Sequence, residues 1–246
     1  MIDRFQAQMR ALQMLSKAQE ATADNLANMN TPGFKGNKLF HRLITEQLNG
    51  EEVTRTVAMQ QVNMEQGVLE PTGNLLDFGI DGEGFFVVED KGESFLSRDG
   101  RFQFDSDGYL RNSQGGYVQG EGGAIHIPEY FMAIDGTGGS PKLEVGKDGT
   151  IRLNDEAFDK IKLIEVEDPG QLERRGTSYF SVEEPGSLTD SEESIVMQGY
   201  FEKGNVQALH EMVDMMRNMQ MFESQQRALR TSDEMLSQVT TNLGRF

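Results

Sequence analysis

The chain has 246 residues, of which 40 are acidic and 23 basic, giving a formal net charge of −17 with no cysteine. That excess of anions argues against binding to nucleic acid or to an anionic membrane face, both of which need clustered cations. The lack of cysteine removes disulfide frameworks, thiolate zinc sites and cysteine nucleophiles together. No apolar run approaches the roughly 20 residues that span a bilayer. The start, MIDRFQAQMRALQMLSKAQE, breaks its apolar positions with charges and so lacks the apolar stretch of a cleavable signal peptide.

Taken in chain order, the first segment is a helix. Residues 1–31 contain neither glycine nor proline, and Ile2, Phe5, Met9 and Leu12 recur at helical spacing, a stripe that weakens and then returns at Ala23 and Leu26. Asn28 and Asn30 are poor inside a helix, and Pro32 biases Thr31 away from the α region. Thr31-Pro32-Gly33-Phe34 then suits a type II turn. An extended linker is expected from 32 to 71.

The centre, 72–204, reads as antiparallel β. Runs such as FFVVED (85–90), RFQFDSD (101–107) and DKIKLIEVED (159–168) are separated by Asp-Gly pairs at 81–82, 99–100, 107–108, 135–136 and 148–149. Asp-Gly between alternating strands predicts hairpins closed by type I′ turns. Residues 51–204 hold 13 basic and 31 acidic groups, a net charge of −18, so the acidity is concentrated here.

The last segment, 205–243, again lacks glycine and proline. Met215, Phe222, Leu229, Leu236 and Leu243 fall every seven residues, with Met212 and Met219 taken as partner positions that continue as Gln226, Asp233 and Thr240. A sustained seven-residue repeat predicts a coiled-coil seam. The expected fold is therefore α+β. It pairs a discontinuous helical domain, from the N- and C-terminal coiled-coil helices (1–31 plus 205–246), with an antiparallel all-β domain (72–204) inserted between them.

Catalytic chemistry finds little support. His41, His126 and His210 share no metal-ligand spacing. Gly79-Ile80-Asp81-Gly82-Glu83-Gly84 resembles a phosphate loop but runs into a strand-like FFVV instead of a helix N-terminus. Asp105-Ser106-Asp107-Gly108 starts like a calcium loop, yet Gly116 stands where the bidentate carboxylate belongs, so a hairpin turn accounts for it better. No enzyme activity, cofactor, metal or small-molecule substrate is expected.

Four segments carry more than composition: ADNLANMNTPGFKG (23–36), PTGNLLDFGIDGEGFFVV (71–88), LSRDGRFQFDSDGYL (96–110) and MQGYFEKGNVQALHEMVDMM (197–216). In this order the chain resembles the rod and hook proteins of the bacterial flagellum, the axial-protein family. Residues 111–195 add little to the likeness. With 36 residues between Lys35 and Thr72 and an LGRF ending, it looks more like the proximal than the distal rod branch.

The resemblance implies a structural subunit that polymerises helically into the basal-body rod across the periplasm. It implies export through the flagellum's own apparatus, and partners that are copies of itself and other rod proteins. Ile2, Phe5, Met9, Leu12, Leu26, Met212, Met215, Met219, Phe222, Leu229, Leu236 and Leu243 are then candidate assembly residues. Asn25, Asn28, Asn30, Pro32, Gly33, Phe34, Gly73, Asn74, Gly82 and Gly84 are candidate turn and motif residues. The rival from another class is a secreted binding or adhesion module that its terminal coil merely oligomerises.

Overall fold

A computed structural model of the chain describes residues 2–48, 51–127, 143–153, 156–182, 188–191 and 193–243, with side chains left undescribed at 2–5, 41–58, 233 and 236–243. The expectations for Ile2, Phe5, Leu236 and Leu243 as side chains, and for the 135–136 turn, lie outside the described residues. The fold is α+β: helix α1 (Ile2–Asn28), a large antiparallel β region, then helix α2 (Ala208–Leu243). Contacts divide the chain into two units. One comprises residues 1–27, 37–61 and 207–246, and the other residues 28–36 and 62–206.

In the first unit the chain between the expected elements folds back on itself. Strands β1 (Asn37–Leu48) and β2 (Glu51–Val62) pair as a two-stranded sheet. The β-branched Val53, Thr54, Thr56 and Val57 favour an extended backbone over a third helix. On α2 the half-buried positions are Ala208, Glu211, Met215, Asn218, Phe222, Gln225, Leu229 and Ser232, two interleaved columns with a seven-residue period.

In the second unit the strands are β3 (Leu69–Pro71), β4 (Phe78–Asp81), β5 (Phe85–Asp90), β6 (Glu93–Ser97), β7 (Phe102–Phe104), β8 (Leu110–Asn112), β9 (Tyr117–Gly120) and β10 (Gly123–Ala124). There follow β11 (Leu143–Val145), β12 (Thr150–Leu153), β13 (Glu156–Lys160), β14 (Leu163–Val166), β15 (Leu172–Arg175), β16 (Tyr179–Val182), β17 (Leu188–Asp190), β18 (Ile195–Gln198) and β19 (Tyr200–Glu202). Among the described residues the main sheet runs β15-β16-β6-β5-β9-β8-β7, with β10 added on β9, and β14 linking β5 to β17. The late strands return to the early ones: β18 pairs with β4 and β19 with β3.

β5 explains where the core sits. Successive side chains of a strand point to opposite faces. Phe86 enters one cluster with Phe78, Phe102, Leu110, Val118, Ile151 and Ile161, and Val88, on the same face of the strand, is fully buried. Phe85 and Val87 enter a second with Leu96, Ile164, Val166, Leu172 and Phe180. A strand buried on both faces needs a continuous apolar run, and FFVV is that run.

The turns differ from the type I′ expectation. At the described Asp-Gly pairs no aspartate has positive φ; the only non-glycine that does, among the described residues, is Lys91. Lys91 (φ 53°) and Gly92 (φ 83°) lie between paired Asp90 and Glu93, so the I′-like hairpin joins β5 to β6. The aspartates act through their carboxylates instead. Asp99 Oδ1 accepts from the Arg101 amide and Asp148 Oδ1 from the Thr150 amide, both at 3.2 Å. The 107–108 turn is held by the preceding Asp105, whose Oδ1 accepts from the amides of Asp107 (3.0 Å) and Tyr109 (2.8 Å).

Candidate assembly sites

Within the helical unit, α1 presents Ala11, Leu15, Ala18, Thr22 and Asn25 as half-buried or buried positions. Asn25 is the fixed point. Its Oδ1 accepts from the Asn37 amide (2.7 Å), and its Nδ2 donates to the Asn37 carbonyl (2.9 Å) and to Glu211 Oε1 on α2 (3.0 Å). Burial is the largest influence on the Glu211 carboxyl and raises its pKa, partly offset by the Asn25 hydrogen bond. The two ends of the polypeptide thus meet at one polar contact.

Beside that contact, Leu15, Ser16, Gln19, Glu20 and Ala23 of α1 and Asn218, Met219, Phe222, Glu223 and Gln226 of α2 line an open groove of about 680 Å³. Met215, Phe222 and Leu229 occupy the half-buried face of α2, as do Leu12 and Leu26 on α1. The second column on α2 is Glu211, Asn218, Gln225 and Ser232, whereas Met212, Met219 and, on α1, Met9 are exposed. Leu209 is 79% exposed, and Val213, Met216, Met221 and Met235 are exposed with it. A soluble protein seldom leaves so many large apolar side chains together in water without a use for them.

Within the β unit the TPGF turn forms as its residues dictate. The Phe34 amide donates to the Thr31 carbonyl at 3.3 Å, and Gly33 takes φ +67°. A Cβ on Gly33 would also fall 2.2 Å from the Asp99 amide nitrogen, so no other residue fits. Pro32 and Phe34 are buried, Asn30 is exposed, and the Asn28 side chain accepts from the Thr31 hydroxyl at 3.4 Å. The guanidinium of Arg174 lies 4.5 Å from the Phe34 ring centre and 5.3 Å from that of Phe180, and donates to the Lys35 carbonyl. Gly73 and Gly82 have positive φ. Asn74 binds Asp77 at 3.0 Å, and the amide of Gly84 donates to Ser194 Oγ at 2.9 Å.

Behind this turn lies an arrangement that sequence reasoning missed. Glu202, at the end of β19, is fully buried, and its Oε1 accepts from Lys35 Nζ and from the Gly67 amide, both at 2.7 Å. Its Oε2 pairs with Arg98 at 3.3 Å, and Arg98 also donates to the Gly82 carbonyl at 2.9 Å. Lys35 Nζ has a second acceptor in the Glu65 carbonyl at 2.9 Å. Desolvation dominates at Lys35 and lowers its pKa, against the attraction of Glu202.

Among the described residues no cluster of three or more histidines or carboxylates could hold a metal ion. The glycine-rich 79–84 segment turns from β4 into β5, and its Gly82 and Gly84 amides serve Gln66 (3.4 Å) and Ser194 (2.9 Å). Asp105 of the calcium-like loop is taken by two amides and by Arg111 at 2.6 Å.

Comparison with known proteins agrees with these elements. Residues 5–35 match the model of the flagella basal body rod protein, 79–153 that of the flagellar hook protein FlgE/F/G D1 domain, and 197–243 that of the flagellar basal body rod FlgEFG protein C-terminal segment. The second match reaches residue 153, deeper into the β region than the motifs ending at Leu110 indicated.

The chain is 31% identical over 236 residues to the flagellar basal-body rod protein FlgF of Salmonella typhimurium, covering 88% of each chain. It is 29% identical over 232 residues to FlgF of Rhizobium meliloti, covering 94% of this chain and 93% of that one. It is 29% identical over 257 residues to the flagellar basal-body rod protein FlgG of Borreliella burgdorferi, covering 92% of each. Both terminal helices and the β region between them fall within these matches, and the chain belongs to the flagellar basal-body rod protein family.

Proposed function

We propose that this chain is a proximal-type structural subunit of the flagellar rod that polymerises helically through α1 and α2, with other rod proteins and copies of itself as partners. The observation that carries the reading is the state of α2. Leu209, Met212, Val213, Met216, Met219 and Met221 stand exposed beside the groove floored by Leu15, Ala23 and Phe222, and further copies of the two helices are the natural cover. Methionine suits a surface that meets several neighbours in slightly different geometry. The proposed contacts are head to tail and do not close, so the assembly grows as a filament.

Half of the α2 seam is polar, so pairing within one chain is marginal, and a coiled coil forms fully only among neighbours. The acidic β unit keeps its charge solvated. Export proceeds through the flagellar apparatus with the chain unfolded, a route for which the absence of cysteine is suited.

Phe222→Asp tests the reading. In a strain lacking the native gene, wild-type protein restores swimming, and tagged protein co-purifies with basal bodies at the membrane-proximal end of the rod. The variant is exported but absent from basal bodies, and the cells do not swim. Wild-type swimming with the variant, or a closed dimer or trimer of the purified native chain, would overturn the proposal and favour an oligomeric binding module.

A further inference from the structure

The chain passes between its two units four times, near residues 27–28, 36–37, 61–62 and 206–207. Inside the β unit the four passages are bound to one another. The Gly33 amide donates to the Glu202 carbonyl at 2.7 Å, and the Asn205 amide to the Phe34 carbonyl at 3.3 Å. Asn205 Oδ1 accepts from the Gly36 amide at 2.7 Å, while its Nδ2 donates to the carbonyls of Asn63 and Glu65, both at 2.8 Å. The Asn63 amide donates to the Gly36 carbonyl at 2.7 Å. A Cβ on Gly204 would lie 3.1 Å from the Met29 carbonyl oxygen, so the first and last passages run in contact.

At the centre sits the buried carboxylate of Glu202. It joins the passage before α2 to Lys35 on the passage after α1, to Gly67 on the passage after β2, and to Arg98 in the β sheet. A buried ion pair is weak evidence for stability, because desolvating the charges cancels much of their attraction. Directional, charge-assisted hydrogen bonds do fix geometry.

We propose that Glu202 is a positioning residue: with Lys35 and Arg98 it locks the four passages into a single junction, so that twist applied to one is carried by all. The use of such a junction rests on the rod-subunit reading, where a drive shaft must transmit torsion; its geometry does not.

The test replaces the network by apolar groups, Lys35→Met, Arg98→Met and Glu202→Leu together, in the full-length chain. The expected result is a melting temperature within a few degrees of wild type and unchanged amide exchange at Phe86–Val88. Exchange at Gly33, Gly36, Gly67 and Asn205 becomes at least tenfold faster, and complemented cells lose swimming speed under viscous load. Should the triple variant not fold, Asn205→Ala carries the same readouts. Unchanged exchange at the four amides overturns the junction, as does loss of protection shared equally with β5. Normal swimming under load, in a strain that wild-type protein rescues, refutes its mechanical role. If deleting the gene leaves motility intact, the rod-subunit reading fails while the exchange data still judge the junction.

Discussion

Glu202→Leu isolates the charge balance of the junction. The substitution removes a carboxylate that meets Lys35 Nζ at 2.7 Å and Arg98 at 3.3 Å, and leaves the Gly67 amide without that acceptor. All three charged side chains are almost wholly shielded, with 1–3% of each exposed, so the two cations gain no water in exchange. Breaking a buried pair on one side costs about 3–5 kcal/mol. For a protein of this size that is a fall in melting temperature of roughly 6–20 °C.

The natural control is Glu121→Gln. Lys160 and Glu121 are 3.0 Å apart, but their side chains are 45% and 65% exposed, and such pairs contribute about 0–1 kcal/mol. Urea denaturation followed by tyrosine fluorescence, in a chain without tryptophan, compares the two. Burial already holds the Lys35 pKa below its ordinary 10.5, and losing Glu202 removes the main influence raising it. Between the lowered folded-state pKa and 10.5 the unfolded chain then binds the extra proton, so the stability of the variant rises with pH across that window. A Glu202→Leu protein within about 1 kcal/mol of wild type at neutral pH refutes the reasoning.

Two further outcomes follow from single contacts. Gly100→Ala places a Cβ 1.8 Å from the Phe78 carbonyl oxygen and 2.8 Å from the Phe86 ring, so it destabilises the β unit by about 1–3 kcal/mol or more in the same urea assay; a neutral result contradicts the packing described. Burial raises the Glu211 pKa above 4.5, so its contribution to helix pairing is full below that value and is lost as pH rises through the folded-state pKa. Glu211→Gln keeps an acceptor for Asn25, so circular dichroism at 222 nm at neutral pH shows helicity equal to or above wild type and little pH dependence; a loss of helix sinks this account.

The parts legible in the sequence are those that hydrophobic pattern writes directly. FFVV marks a strand buried on two faces, and the Met215–Phe222–Leu229 column marks the half-buried face of α2. The partner column expected at Met212 and Met219 is exposed in the single chain. The half-buried positions beside the first column are the polar Glu211, Asn218, Gln225 and Ser232, which hydrophobic pattern does not mark, and the link to α1 is the Asn25–Glu211 hydrogen bond. The junction was illegible for the same reason. Lys35, Arg98 and Glu202 each stand in a family-like segment, but a charged residue reads as solvated until the fold brings together groups 167 positions apart. The tight β5–β6 turn escaped because Lys91, not asparagine or aspartate, takes the left-handed conformation there.

The close approach of Gly204 to Met29 also bears on how such a molecule can be remodelled. Because its first and last strands, β3 and β19, hydrogen-bond to each other, the globular insert begins and ends at a common gate. Loops beyond that gate that carry neither Arg98 nor Arg174 can be lengthened, trimmed or exchanged while the gate itself stays closed.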